Sequence, residues 1–142
     1  MTNESIIKSC LAIFCWREAS AYGGDTVMTA VAFAMRNRTL AGWGDYLQLI
    51  TNHPKISYRT DNPLKDAYPD LREPSFQRFL MKLDVIYSNS LPDTLTYMKP
   101  GKPGLYWADL SCVTNELVLE RIIRNPTEHP KTASVSPLCF YA

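Results

Sequence analysis

Phe14 to Arg38 reads FCWREASAYGGDTVMTAVAFAMRNR, and the order of its parts decides the architecture. An apolar, helix-like run ends in a single carboxylate, Glu18; Ser20, Gly23 and Gly24 break the pattern, and a second apolar run follows Asp25. Towards the N-terminus, Ile6, Ile7, Cys10, Leu11, Ile13 and Phe14 recur at helical spacing and predict a helix from about Ser5 to Glu18 with one broad apolar face. Towards the C-terminus, Val27, Met28, Val31, Ala32, Ala34 and Met35 predict a largely buried helix, in which Ala30, Ala32 and Ala34 let a neighbour approach closely. Asp25 is the expected N-cap, its side chain accepting from the first-turn N–H groups, and Gly42 is the expected stop. Two buried helices joined by a turn make a helical body and lift the acid of the first to its rim.

Outward from this pair, Asp45 to Ile50 predicts a short helix, and the proline-rich, polar stretch from Asn52 to Pro74 is loop by composition. Pro74 opens a further helix, in which Phe76, Phe79, Leu80, Leu83, Ile86 and Tyr87 keep a 3.6-residue period to about Ser88. The grammar then changes. Leu95 to Met98 and Leu105 to Trp107 are short runs with aromatics on either side of KPGKPG, and Leu138 to Tyr141 is another, so short strands or extended segments are expected. Thr114 is the expected cap of one more helix through Ile123, with Asn115 and Glu116 in its first turn. The fold class is therefore α+β and mostly helical, with a small β element, and 142 residues suit one domain spanning 1–142 around one core.

Composition narrows the partners. Fifteen Lys+Arg against 14 Asp+Glu leave a formal charge of +1, which gives no electrostatic case for nucleic acid or an acidic membrane surface. Cys10, Cys15, Cys112 and Cys139 contain no CxxC spacing and the two histidines, His53 and His129, are far apart, so neither a metal site nor a cofactor is expected. Cys10 and Cys15 diverge on one helix and cannot bond to each other, which favours free buried thiols. The apolar stretch Leu11 to Trp16 has Glu4 before it and no basic cluster, unlike a secretory signal, and no stretch is long enough to span a bilayer. Two readings stay open: a protein held in the cytoplasm until something releases it, or one from which a signal has been removed.

Glu18 also carries two readings. A carboxyl at a helix C-terminus opposes the helix dipole, and burial beside Phe14 or Trp43 would favour its protonated, proton-donating form, as a general acid requires. The alternative is a surface Glu paired with Arg17 or a nearby Lys, which is the commoner fate of a carboxylate.

The ordered motifs favour the first. Glu18-Ala19, Tyr22-Gly23-Gly24, Ala30-Val31-Ala32, Asn37-Arg38, Trp43 to Ile50, Pro54 and Ile56-Ser57 follow one another; Pro92-Asp93-Thr94, Tyr106-Trp107 and Cys139-Phe140-Tyr141 come later. In this order the chain resembles the SleB/CwlJ family of cell-wall hydrolases, most closely from Phe14 to Tyr58 and more loosely to the C-terminus. The resemblance implies a lysozyme-like fold, peptidoglycan glycan strands as substrate, and Glu18 as the acid that protonates the leaving glycosidic oxygen and then acts as base. It also exposes departures. The family commonly has a second acid where this chain has Tyr22, its turn is about one residue longer, Arg36 replaces an aliphatic residue, and Ile56 replaces an aromatic.

The missing acid bears on mechanism. A lytic transglycosylase needs one carboxyl, because the sugar's own 6-hydroxyl attacks, whereas a muramidase-type hydrolase normally needs a second acid. Asp25, Asp45, Asp61 and Asp93 are available, but Asp25 serves better as a cap and Asp93 as a turn residue, so the single-acid scheme is preferred. Around Glu18, the Asn37 amide is a candidate to orient the acid or a sugar, Ser57 and Tyr58 offer hydroxyls, and Tyr97 and Tyr106 are candidate sugar-stacking faces. Strand alternation sends only one of Tyr106 and Trp107 to a groove, and Trp107 is expected in the core. Arg38 is expected to bond carbonyls or an acid and fix packing, and both histidines to titrate at the surface. Two rivals accompany the enzyme: a catalytically inactive glycan-binding relative, and a small helical interaction protein whose Glu18 lies exposed, away from any groove.

Overall fold

Burial on every side makes the second helix the axis of the protein. The computed structural model describes residues 3–22, 25–52, 69–88, 102–111, 113 and 116–142. Helix α2, Thr26–Leu40, buries Val27, Met28 and every residue from Ala30 to Asn37. A helix apolar on all sides must be covered on all sides. Helix α1, Asn3–Ala19, lies along it through Leu11, Ala12, Phe14, Cys15 and Ala19. Helix α4, Pro74–Tyr87, contributes Phe76, Phe79, Leu83 and Ile86, spaced along one stripe, with Pro74 opening the helix as expected. The short α3, Tyr46–Thr51, closes the body against α1 and α2.

The ends of these helices follow local chemistry, with one exception. After α2, Ala41 ends the helix and Gly42 takes φ 84°, which its missing Cβ allows. Asp45 caps α3 in a reciprocal box: its side chain accepts from Gln48 N–H at 2.8 Å, and Gln48 Oε1 accepts from Asp45 N–H at 2.9 Å. Asp25 is the exception, and the expectation of a side-chain cap there is corrected. Its backbone is already in the helical region, at φ −102° and ψ −4°, and its side chain makes no cap bond. The carboxylate instead meets Lys82 of α4 at 3.0 Å, tying the start of α2 to its neighbour.

A three-stranded antiparallel sheet adjoins the helices. Strands β1, Tyr106–Asp109, β2, Lys131–Val135, and β3, Leu138–Tyr141, lie in the order β1-β3-β2. β3 coincides with the expected aromatic run and is buried throughout, as a middle strand is. Its side chains alternate: Leu138 and Phe140 join the helical core, while Cys139 and Tyr141 form a smaller cluster with Ile122 on the opposite face. On β1, paired to β3 with Trp107 opposite Phe140, Trp107 packs on the main core and Tyr106 on the smaller cluster. Between β1 and β2, α5, Glu116–Val118, continues into a single π-turn, Leu119–Ile123. A cis Ser136–Pro137 bond lies in the turn between β2 and β3.

The result is a mostly helical α+β architecture with a small sheet. No helix among the described residues is long and apolar enough to cross a membrane. Cys10 is half-buried and Cys15 and Cys139 are buried, all three as free thiols. Several expectations fall outside the described residues: the loop positions 53–68 with His53, Ser57, Tyr58 and Asp61, the segment 89–101 with Asp93, Tyr97 and the strand expected at Leu95–Met98, and Cys112, Thr114 and Asn115.

Candidate active site

Glu18 is the penultimate residue of α1, and its position follows from the face that helix buries. Phe14, one turn earlier on α1, is buried against the core, which brings the end of the helix over β1. There Phe14 meets Trp107 edge to face, with ring centroids 6.3 Å apart. The Trp107 indole Nε1–H donates to Glu18 Oε2 at 3.2 Å. Glu18 is thus half-buried and joined to the sheet, in contrast to an exposed surface carboxylate.

Arg38 brings a positive charge to the same place. It sits in the last turn of α2, where a cation complements the helix dipole. Its guanidinium carbon lies 4.5 Å from the Trp107 ring centroid, 4.9 Å from that of Trp43 and 5.7 Å from that of Tyr106. Its Nε donates to the Leu105 carbonyl at 2.7 Å. Burial lowers this guanidinium from its ordinary value to about 10, against the opposing pull of Tyr106 and Glu18, so it stays charged at neutral pH. The same carboxylate is felt by Cys15: burial first, then the Glu18 charge, push that thiol well above its usual range.

Asn37, 4% exposed, donates its amide to the Gly104 carbonyl at 3.0 Å. The pair Asn37-Arg38 therefore grips two successive carbonyls just before β1 and sets where Trp107 falls. This is the carbonyl-bonding role expected of Arg38, shared by its neighbour.

Trp107 packs on the main core as expected and, half-buried at the edge of the helical body, also reaches Glu18. One placement differs from expectation: His129 is half-buried, its ring edge-on to Tyr106 at 5.2 Å and its Nδ1 2.7 Å from the Ala142 carbonyl oxygen. Tyr106 itself is half-buried and packs edge-on to Trp43 at 5.3 Å. Glu18, Asn37 and Tyr106 are consequently gathered around Arg38 and Trp107.

One carboxylate of this region is not among the candidate acids that the sequence singles out. Asp109, on the same strand as Trp107, is 5% exposed; its Oδ2 accepts from the Tyr22 hydroxyl at 2.9 Å. Its Oδ1 accepts from the Ser111 N–H at 2.9 Å and from the Ser111 hydroxyl at 2.6 Å. Strand parity is the signal that finds it, since residues 107 and 109 share a face. Among the described residues, no three His, Cys, Asp or Glu side chains come together as a metal site.

Chemically, the arrangement offers one carboxyl oriented by an N–H donor, a nearby cation that is charged at neutral pH, and aromatic faces beside them. Comparison with family models, with curated proteins and with solved structures finds no match to this chain.

Proposed function

We propose that the protein cleaves the glycan strands of peptidoglycan, as a lytic transglycosylase or a muramidase-type hydrolase, with Glu18 as general acid/base. The observation that carries this reading is the Trp107 Nε1–Glu18 Oε2 hydrogen bond, which fixes a half-buried carboxyl at a helix end beside aromatic rings. The ordered resemblance of the motifs around Glu18 supports it, and the half-burial counts against an interaction protein with an exposed Glu18. In the reaction, protonated Glu18 gives its proton to the glycosidic oxygen as the bond to the anomeric carbon breaks. The carboxylate left behind then takes a proton from the attacking group, the sugar's own 6-hydroxyl in a transglycosylase or water in a hydrolase.

A catalytically inactive glycan-binding relative is the second reading. The cluster of Trp43, Tyr106 and Trp107 around Arg38 favours it, because aromatic faces hold pyranose rings without performing chemistry. Incubating the protein with purified peptidoglycan and weighing the released muropeptides separates these outcomes. Anhydro ends identify the transglycosylase, reducing ends the hydrolase, and binding without release the inactive relative. Glu18→Gln is expected to cut release by a factor of about 10²–10⁴, the usual share of general acid/base catalysis; an unchanged rate removes Glu18 from the mechanism.

A further inference from the structure

Asp109 is the most deeply buried carboxylate near Glu18, and the reading of Glu18 alone gives it nothing to do. Burying a carboxyl is unfavourable unless donors meet it, and here the Tyr22 phenol and the Ser111 hydroxyl and N–H do so. Alternation along β1 puts Trp107 and Asp109 on one face. That face looks onto the end of α1 and the 3-10 turn Ser20–Tyr22 that continues it, so Trp107 meets Glu18 and Asp109 meets Tyr22. The two links run side by side, their strand positions about 7 Å apart.

We propose, building on Glu18 as general acid/base, that Tyr22 is a second catalytic residue and Asp109 its positioning residue. The Tyr22 oxygen, its O–H donating to Asp109 Oδ2, faces the anomeric carbon and stabilises the positive charge that grows as the glycosidic bond breaks. A phenol that donates to a carboxylate becomes richer in electron density at its oxygen, because linked hydrogen bonds polarise one another. Asp109 is too deep to reach a sugar, whereas Tyr22 is half-buried and keeps accessible surface. No bond to carbon forms at Tyr22 and its proton stays within the pair; the leaving oxygen receives its proton from Glu18. The site thereby acquires a second negatively polarised group, supplied through a phenol.

The test compares wild type, Glu18→Gln, Tyr22→Phe, Asp109→Asn and the Tyr22→Phe/Asp109→Asn double variant on solubilised peptidoglycan glycan strands, each well below its own Tm. Tyr22→Phe is expected to lower kcat about 100-fold, as loss of one charge-stabilising group does, with KM within about twofold. Asp109→Asn is expected to lower kcat about tenfold, since a charge-assisted hydrogen bond becomes a neutral one. The double variant should match Tyr22→Phe alone, as members of one hydrogen-bonded pair do, and the fall in kcat at a nearly constant KM is what a purely structural role would not produce. Ser111→Ala, at an exposed residue, is the second probe if Asp109→Asn does not fold; it should lower kcat in the wild-type background and not in the Tyr22→Phe background. Activity that is lost in Glu18→Gln but kept within about threefold in Tyr22→Phe overturns this proposal and leaves Glu18 standing. Wild-type protein that releases nothing overturns both.

Discussion

Trp107→Phe is the sharpest probe of how the helix end is held to the sheet. The substitution keeps a ring and removes the indole N–H that donates to Glu18 Oε2 at 3.2 Å. Hydrogen bonds to charged groups contribute about 1.5–3 kcal/mol, and a contact at this length in a half-buried setting falls below that range, at about 1 kcal/mol. The smaller ring forfeits roughly 40 Å² of apolar contact with Phe14 and the Arg38 side chain, about 1 kcal/mol at ~25 cal/mol/Å². The total, about 2 kcal/mol, lowers Tm by about 6–8 °C in a chain of this length. Urea unfolding at neutral pH measures the total. A double-mutant cycle with Glu18→Ala isolates the hydrogen bond, with an expected coupling of about 1 kcal/mol. A coupling below about 0.3 kcal/mol would mean that Trp107 and Glu18 do not hold one another, and the orientation of the acid would lose its basis.

Two further expectations concern stability. Gly44→Ala forces a side chain onto φ 141° and places its Cβ 2.9 Å from Gln48 Oε1, so Gln48 must leave the Asp45 N–H; α3 should lose about 1–2 kcal/mol, and an unchanged Tm would show that the box is dispensable. At alkaline pH, burial pushes Tyr46 and Tyr141 up to about 12 and Arg38 down to about 10. Between about pH 10 and 12 each tyrosine keeps its proton when folded and loses it when unfolded, while Arg38 does the reverse, so two groups withdraw stability and one restores it. Unfolding midpoints should therefore fall as pH rises through that window, and Tyr46→Phe should flatten the fall; a midpoint that climbs would reverse the assigned balance.

The helices are legible in the sequence because each shows in a run of a few residues: α4 by its period, α3 by the short run from Asp45 to Ile50, and α2 by its apolar surface. Asp25 misleads because a good capping side chain is of no use once its own backbone is helical, and Lys82 then claims it. β2 escapes a local reading for a similar reason. Lys131–Val135 reads KTASV, small and polar for a strand, and it is held by pairing to β3 rather than by its own composition. Within the site, Glu18 stands out by its place at a helix end, and the carbonyl-binding role of Arg38 is visible from its position. Trp107 and Asp109 are not, because strand parity places them on one face of β1 but does not say which face meets α1, and that is a long-range fact.

The strand order also sets a sequence of events during synthesis. Among the described residues β1 pairs with β3 alone, so the pairing that fixes the strand bearing Trp107 and Asp109 waits until Leu138–Tyr141 has been made. Glu18 precedes Leu138 by 120 residues, a delay of about 6–24 s at ordinary rates of chain elongation. The helical pair can collapse early around α2, but the acid at its rim stays without its aromatic clamp through most of translation. A nascent chain accordingly gathers its helices before Trp107 is fixed, and a truncation just ahead of Leu138 should keep the helices while loosening the anchor of Glu18.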